Sequence, residues 1–127
     1  MRKHGILHPD LAYGLATLGH QQTLFIVDAG MPLPVGVPTV DLALVLGVPR
    51  FTEVLDAVLA EIVVEDSVFA AEAAGTVVEA WLRQRDLDPT AVTHEELKAR
   101  LARARLIVRT GEATSYANVE LRCGVAF

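Results

Sequence analysis

The chain has little cysteine, little positive charge and no long apolar run. It contains one cysteine, Cys123, so no disulfide can form within the chain. Its 11 lysines and arginines face 16 aspartates and glutamates, a net charge of −5, which argues against nucleic acid or an anionic membrane surface as a partner. Every apolar run is much shorter than the roughly 18–20 residues that a membrane-spanning helix needs. These shortages indicate a globular protein without internal disulfides that neither binds a polyanion nor spans a membrane.

Apolar residues are abundant in spite of these shortages. They make up 52% of 127 residues, and the mean hydropathy is +0.38. A chain of this length predicts one domain, residues 1–127, with too small an interior to hide all of these side chains. We therefore expect a homo-oligomer that buries apolar surface between its subunits. The first ten residues, MRKHGILHPD, lack the apolar segment of a signal peptide, which predicts a cytoplasmic protein.

Strand and helix patterns alternate along the chain. Spacing of apolar residues, β-branched content and Pro/Gly breaks predict helices over 9–18, 50–62, 76–85 and 93–104. The same signals predict strands over 23–28, 40–46, 63–70, 106–110 and 118–123, with loops over 29–38 and 111–117. This order predicts a single α/β domain of layered α/β/α type with a central, mostly parallel or mixed sheet.

Two polar residues flank the most apolar strand. Asp28 follows the run Leu24 to Val27, and His20 stands just before the strand. Ligands of α/β sheets bind beyond the carboxyl ends of strands, which makes Asp28 a candidate ligand contact. Asp28 can equally cap the turn that follows it. His20 is either a structural residue or a proton-transferring group, and the strand pattern leaves both open.

Two further candidates lie near the end of the chain. In THEE, Thr93 and Glu96 fit a capping box, which places His94 in a first helical turn, where the helix dipole favours a neutral imidazole. Tyr116 and Asn118 point the same way in an extended segment and offer an aromatic face and a carboxamide, a surface suited to a sugar. Each candidate also has a purely structural interpretation. His94 can be a surface residue of a capped helix, and the segment 116–118 can be a turn that contains asparagine and a half-buried tyrosine.

A metal site is not expected. His4 and His8 are four residues apart, but no third ligand is in sight. Cys123, close to the apolar C-terminus, is expected to be a small core residue.

Several separated motifs together resemble the D-ribose pyranase family, to which the L-fucose mutarotases are related. They are GH at 19–20, TLFIVDAG at 23–30, GVP at 47–49, THEEL at 93–97 and RTGEATSYANVELRCGVAF at 109–127. The resemblance spans nearly the whole chain, from ILHPDLA to the terminal GVAF. It implies a cytosolic sugar isomerase without cofactor or metal, which opens D-ribose and recloses it between pyranose and furanose forms. It also implies ring-shaped oligomers, commonly decamers of two stacked pentamers.

The resemblance also implies roles for particular residues. His20 matches the family's catalytic residue, here assigned as proton donor, and Asp28 matches its sugar-orienting carboxylate. The other matched sugar-binding positions are His94, Tyr116, Ala117 and Asn118. Alanine in the middle of Tyr-Ala-Asn, where fucose mutarotases tend to have glycine, favours ribose over fucose. Two alternatives stay open: an L-fucose-type mutarotase, and a sugar-binding module without turnover.

Overall fold

The computed structural model describes the whole chain, Met1–Phe127, as four helices around one six-stranded sheet. The helices are α1 (Pro9–Ala16), α2 (Phe51–Leu59), α3 (Val77–Arg83) and α4 (His94–Arg100), with short 3₁₀ turns at Ala71–Ala73 and Leu101–Arg103. The strands are β1 (Thr23–Val27), β2 (Thr39–Asp41), β3 (Val64–Ala70), β4 (Thr90–Val92), β5 (Leu106–Arg109) and β6 (Val119–Cys123).

The sheet is mixed, with the strand order β2-β5-β1-β6-β3-β4. Strand β1 runs parallel to β5, which is itself parallel to β2, and β3 runs parallel to β4. Strand β6 lies between β1 and β3 and is antiparallel to both. The carboxyl ends of β1 and β5 therefore meet at one edge, next to the amino end of β6.

Alternating side chains of the central strands supply two separate cores. In β1, Leu24 and Ile26 pack on one face with residues of α1, α2 and α3, whereas Phe25 and Val27 pack on the other face with residues of α4. All four side chains are fully buried. Because both faces are covered by helices, an apolar run rather than an alternating pattern is what β1 requires. The predicted layered α/β/α class with a mixed sheet is confirmed.

The helix starts agree with the sequence signals. Pro9 occupies the first turn of α1, and the imidazole of His8 accepts a hydrogen bond from the Leu11 N–H at 3.3 Å. Thr93 caps α4 by accepting from the Glu96 N–H at 3.1 Å, as predicted, but the Glu96 carboxylate does not accept from the Thr93 N–H, so only half of the predicted capping box forms. His8 thus caps α1, because its side chain pairs with a backbone N–H that the first turn of the helix leaves without a partner.

The prediction for residues 40–46 is wrong in extent, because β2 ends at Asp41. The Asp41 carboxylate accepts from the Ala43 N–H at 3.0 Å, which turns the chain, and Leu44 and Val45 then bond back to the carbonyl of Val48. The segment 42–48 is therefore a loop whose apolar side chains are largely exposed. Apolar content alone could not separate this loop from a buried strand.

One strand was not predicted. Strand β4 has three residues, lies at the edge of the sheet and pairs only with β3. Such a short, mostly exposed strand has no clear apolar alternation. The other predicted elements are present, with ends that differ by up to three residues, and the last turn of the predicted helix 93–104 is 3₁₀. None of the helices has the length and apolar character needed to cross a membrane.

Candidate functional site

A cleft of about 640 Å³ opens at the carboxyl ends of β1 and β5. It is walled by the loop after β1, the start of α4, the loop between β5 and β6, and the side chain of Leu46 from the loop 42–48. Its polar side chains include Asp28, His94, Arg109, Glu112 and Tyr116. Three of the residues matched by the resemblance, Asp28, His94 and Tyr116, thus line one cavity although they lie far apart in the sequence.

Asp28 and Asn118 form a two-way pair. The Asp28 backbone N–H donates to Asn118 Oδ1 at 2.8 Å, and Asn118 Nδ2 donates to Asp28 Oδ2 at 2.9 Å. The Gly30 N–H donates to the other carboxylate oxygen at 3.0 Å. Asn118 itself is fully buried. In this structure its carboxamide orients the carboxylate of Asp28 and does not face the cleft.

The three residues of the Tyr-Ala-Asn segment have different surroundings. Ala117 is fully buried in the larger core, so only Tyr116 presents its side chain to the cleft. Tyr116 has φ of +61°, the left-handed region that a non-glycine residue adopts at a cost of about 1–3 kcal/mol. The extended geometry assumed from the sequence for 116–118 is therefore wrong at Tyr116. The turn directs the ring outwards while Asn118 points inwards.

His94 is held by its backbone and by an aromatic contact. Its N–H donates to the Glu72 carboxylate at 2.9 Å, and its ring meets Tyr116 edge to face, with centroids 5.1 Å apart. Its Nδ1 is buried and has no hydrogen-bond partner. His94 also lines the cleft, and an imidazole can bond a hydroxyl group of a ligand through a ring nitrogen that reaches it.

His20 lies away from this cleft within the chain. It precedes β1, whereas Asp28 follows β1, and the five residues of the strand span about 16 Å. His20 Nε2 is 3.1 Å from Glu65 Oε2, in a second cleft of about 320 Å³ that the C-terminal segment 124–127 also lines. A single chain thus brings together the other matched positions and leaves His20 at the opposite end of the sheet.

Two charged residues of the cleft were not singled out from the sequence. Arg109, at the end of β5, donates from Nε and Nη2 to the Ala29 carbonyl, at 3.1 and 2.8 Å, and from Nη1 to Asp41. Glu112 follows three residues later. Asp28 was singled out because ligands bind beyond the carboxyl ends of buried strands. The same rule applies to β5 and could have found Arg109 and Glu112.

Glu112 is the most buried carboxylate of the cleft, 8% exposed. Burial by itself raises the pKa of this carboxyl, but hydrogen bonds from Phe51, Thr114 and Ala113 outweigh it, so that the pKa lies below its ordinary value. Glu112 is therefore ionised at neutral pH. In the second cleft, burial and the nearby charge of Glu65 raise the pKa of the Cys123 thiol.

The cleft offers carboxylate, imidazole and phenol groups around a polar cavity that is large enough to admit a monosaccharide. Carboxylate and imidazole bond hydroxyl groups, and an aromatic ring packs against the C–H face of a sugar. Nowhere in the chain are three or more His, Cys, Asp or Glu side chains placed to hold a metal ion. The arrangement is suited to binding a polyol and to moving protons.

Comparison with known proteins identifies the class. Residues 1–126 match the model of the RbsD / FucU transport protein family, and the chain belongs to this family. The D-ribose pyranase of Cutibacterium acnes is 50% identical over 127 residues, with both chains covered completely. The D-ribose pyranase of Streptomyces avermitilis is 54% identical over 129 residues, again with complete coverage of both.

Two solved structures, one complexed with D-ribose and one with L-fucose, are similar to this fold. Bacillus subtilis RbsD complexed with D-ribose is 39% identical, has a TM-score of 0.93 and is matched over 100% of both chains. The fucose mutarotase of Streptococcus pneumoniae in complex with L-fucose is 26% identical, with a TM-score of 0.84 and coverage of 99% of this chain and 100% of the other. The resemblance inferred from the sequence motifs is confirmed.

Proposed function

We propose that this protein is a D-ribose pyranase, which interconverts the β-pyranose and β-furanose forms of D-ribose. The full-length identity of about half with D-ribose pyranases is the observation that carries the proposal. The cleft with Asp28, His94 and Tyr116 supports it, because these groups suit a monosaccharide. The greater similarity to the ribose-bound structure than to the fucose-bound one favours ribose.

The reaction is a pair of proton transfers. Ring opening removes a proton from the anomeric hydroxyl and delivers one to the ring oxygen, and reclosure on another hydroxyl reverses both steps. General acid–base help from histidine is typically worth about 10²–10⁴-fold. Asp28 orients the sugar hydroxyls, Tyr116 supports the sugar ring, and His94 accepts or donates a hydrogen bond through its imidazole. One C–O bond breaks, another forms and the oxidation state of the sugar does not change, so the reaction requires no oxidant or reductant.

His20, the proposed proton donor, reaches the sugar from a neighbouring subunit. His20 and the cleft with Asp28 are two half-sites that lie at opposite ends of β1. A head-to-tail contact between copies places the His20 end of one copy over the cleft of the next. Such a contact is heterologous, and a repeated heterologous contact forms a ring when its rotation closes and an open filament when it does not. The pentameric rings and stacked decamer implied by the resemblance are the proposed assembly.

Exposed apolar residues flank both half-sites and support this contact. Beside the cleft, Leu44 and Leu46 are 77% and 79% exposed. Beside His20, Val63, Val125 and Phe127 are also exposed. Apolar patches of this kind are unusual on monomers and typical of interfaces. The one cysteine is buried and free, as is common in the cytoplasm, where we place the protein.

Magnetisation-transfer NMR tests the activity directly. With ribose and fucose run side by side, we expect catalytic amounts of protein to accelerate exchange between the pyranose and furanose signals of ribose. Exchange on fucose with none on ribose would move the protein to the mutarotase branch. Contact with sugar without faster exchange would indicate a binding module, the remaining alternative.

Subunit complementation tests the shared site. His20→Ala should lower exchange by at least about 100-fold, the low end of the range for lost acid–base help, and Asp28→Asn should lower exchange by weakening sugar binding. If the two residues serve one site from different subunits, hetero-oligomers reassembled from both variants contain some intact sites and regain part of the activity. Mixed oligomers as inactive as their parents would contradict a shared site.

A further inference from the structure

Glu112 is a buried ionised group of the cleft to which the proposed reaction gives no part. Both of its carboxylate oxygens are occupied by backbone donors. Oε2 accepts from the Phe51 N–H at 3.0 Å, and Oε1 accepts from the Ala113 and Thr114 N–H groups at 3.2 and 3.1 Å. Phe51 is the first residue of α2, so that this bond also satisfies an N–H that the helix leaves unpaired.

The main chain of Glu112 is tied to the residues on either side of Asp28, at the end of β1. Its carbonyl accepts from the Ala29 N–H at 2.9 Å, and its N–H donates to Thr110 Oγ1 at 3.1 Å. The Thr110 hydroxyl in turn donates to the Val27 carbonyl at 2.8 Å. One residue therefore joins the end of β1, the start of α2 and the loop that leads to Tyr116.

The last of these connections leads to the sugar-facing ring. Thr114, held by the Glu112 carboxylate, accepts a hydrogen bond from the Ala117 N–H at 3.4 Å, which closes a turn around Tyr116. Tyr116 adopts its left-handed backbone only at a cost, and such a conformation persists where the surroundings fix it. The carboxylate supplies the fixing contacts on the N-terminal side of the turn.

We propose that Glu112 is a positioning residue for sugar binding, which holds Tyr116 in the orientation that lines the cleft. The inference deepens the proposed pyranase function and rests on it for the identity of the sugar. A carboxylate is required because all three partners are N–H donors, whereas a carboxamide would point an NH₂ group at one of them. Glu112 acts through Tyr116 and has no step in the proton transfers.

The variant Glu112→Gln tests the proposal, with Glu53→Gln as its matched control. The Glu53 carboxylate accepts from the Arg50 N–H at 2.8 Å, at the same helix end, and Glu53 is not among the cleft residues. The chain has two tyrosines, Tyr116 and the exposed Tyr13 on α1. Labelling with 3-fluorotyrosine therefore gives two ¹⁹F signals, one reporting the cleft and one serving as an internal reference.

We expect Glu112→Gln to shift or broaden the Tyr116 signal without ribose and to leave the Tyr13 signal unchanged. KM for ribose should rise about 10-fold or more, the equivalent of one lost hydrogen bond to a charged group, with a smaller change in kcat. Glu53→Gln should leave both signals and KM as in the wild type. Glu112→Asp, which keeps the charge on a shorter side chain, should give an intermediate KM and serves if the glutamine variant does not fold.

An unchanged Tyr116 signal in Glu112→Gln would overturn the proposal, and so would an equal change of this signal in Glu53→Gln. The fluorine readout needs no sugar. If the wild type fails to exchange ribose, the proposed function is wrong, while the tyrosine signals still decide whether Glu112 positions Tyr116.

Discussion

Replacing Asn118 by aspartate tests the two-way pair that orients Asp28. The change Asn118→Asp keeps an oxygen to accept from the Asp28 N–H but replaces the amide nitrogen that donates to Asp28 Oδ2 at 2.9 Å. Because Asn118 is fully buried, the variant sets two carboxylates at hydrogen-bond distance inside the protein. Two like charges about 3 Å apart repel by about 5 kcal/mol at an effective dielectric constant of about 20.

The pair can escape this repulsion by taking up one proton, which limits the cost. Holding a carboxyl of ordinary pKa near 3.9 protonated costs about 1.4 kcal/mol for each pH unit above that value. The cost is then about 5 kcal/mol at pH 7.5 and about 1.5 kcal/mol at pH 5.0. Repulsion raises the folded-state pKa of the pair above its unfolded value. The variant's stability is therefore best below the unfolded pKa and is lost as the pH rises through the folded one.

Urea unfolding at the two pH values measures the effect. Relative to the wild type at the same pH, Asn118→Asp should lose several kcal/mol at pH 7.5 and much less at pH 5.0. Asn118→Ala is the control, since it removes the same bonds without adding a charge and should show a loss that depends little on pH. The exchanged pair, Asp28→Asn with Asn118→Asp, restores one carboxylate and one carboxamide and should recover most of the stability at pH 7.5.

Two outcomes would refute this reasoning. A loss in Asn118→Asp that is equal at both pH values would show that the two carboxylates do not interact. An exchanged pair no more stable than the single variant would show that the hydrogen bonds between the two side chains do not carry the effect. The exchanged pair also separates stability from function, because it should fold and still bind ribose poorly.

Three further perturbations follow from the same contacts. Deleting residues 125–127 should lower the oligomer size in light scattering and the exchange activity together; an active wild-type monomer at micromolar concentration would contradict the assembly. The destabilisation by Glu112→Gln should be greatest near neutral pH and shrink as the pH falls from the ordinary glutamate value through the lowered folded-state pKa, because protonation removes the native advantage; a constant difference would contradict it. The Cys123 thiol should react with a thiol reagent at neutral pH at least about tenfold more slowly than free cysteine, because burial raises its pKa; equal rates would show that the thiol is accessible.

The fold was predictable where one physical pattern dominated. Helix α2 buries Phe51, Val54, Leu55 and Val58 on one face, as the spacing of its apolar residues predicts. Strand β1 is covered on both faces, and its unbroken apolar run is what that position requires. In both elements, local preference and final burial agree.

Prediction failed where local composition did not reflect the final structure. The segment 42–48 has the composition of a strand, yet Asp41 turns the chain and the side chains stay exposed. Strand β4 is too short to show a period and is fixed by its pairing with β3. No local pattern distinguishes an apolar residue packed in the core from one left exposed at the surface.

Some members of the candidate site were predictable from the sequence, but their arrangement was not. The end of a buried strand marked Asp28, and the capping box marked His94, and both line the cleft. The separation of His20 from the cleft depends on which end of β1 each residue occupies, and the inward orientation of Asn118 depends on the left-handed turn at Tyr116. Both are properties of the folded chain that spacing does not contain.

The two carboxylates of the cleft have different roles because their hydrogen bonds differ. Glu112 has three backbone donors around a buried group, which leaves it little capacity or access for a ligand. Asp28 is only part-buried and has one donor on each oxygen, from Gly30 and from Asn118. Each carboxylate oxygen accepts about two hydrogen bonds, so Asp28 keeps one free acceptor site on each. The same functional group therefore fixes the backbone in one case and, in the proposed function, receives sugar hydroxyls in the other, and the number and kind of donors decide which.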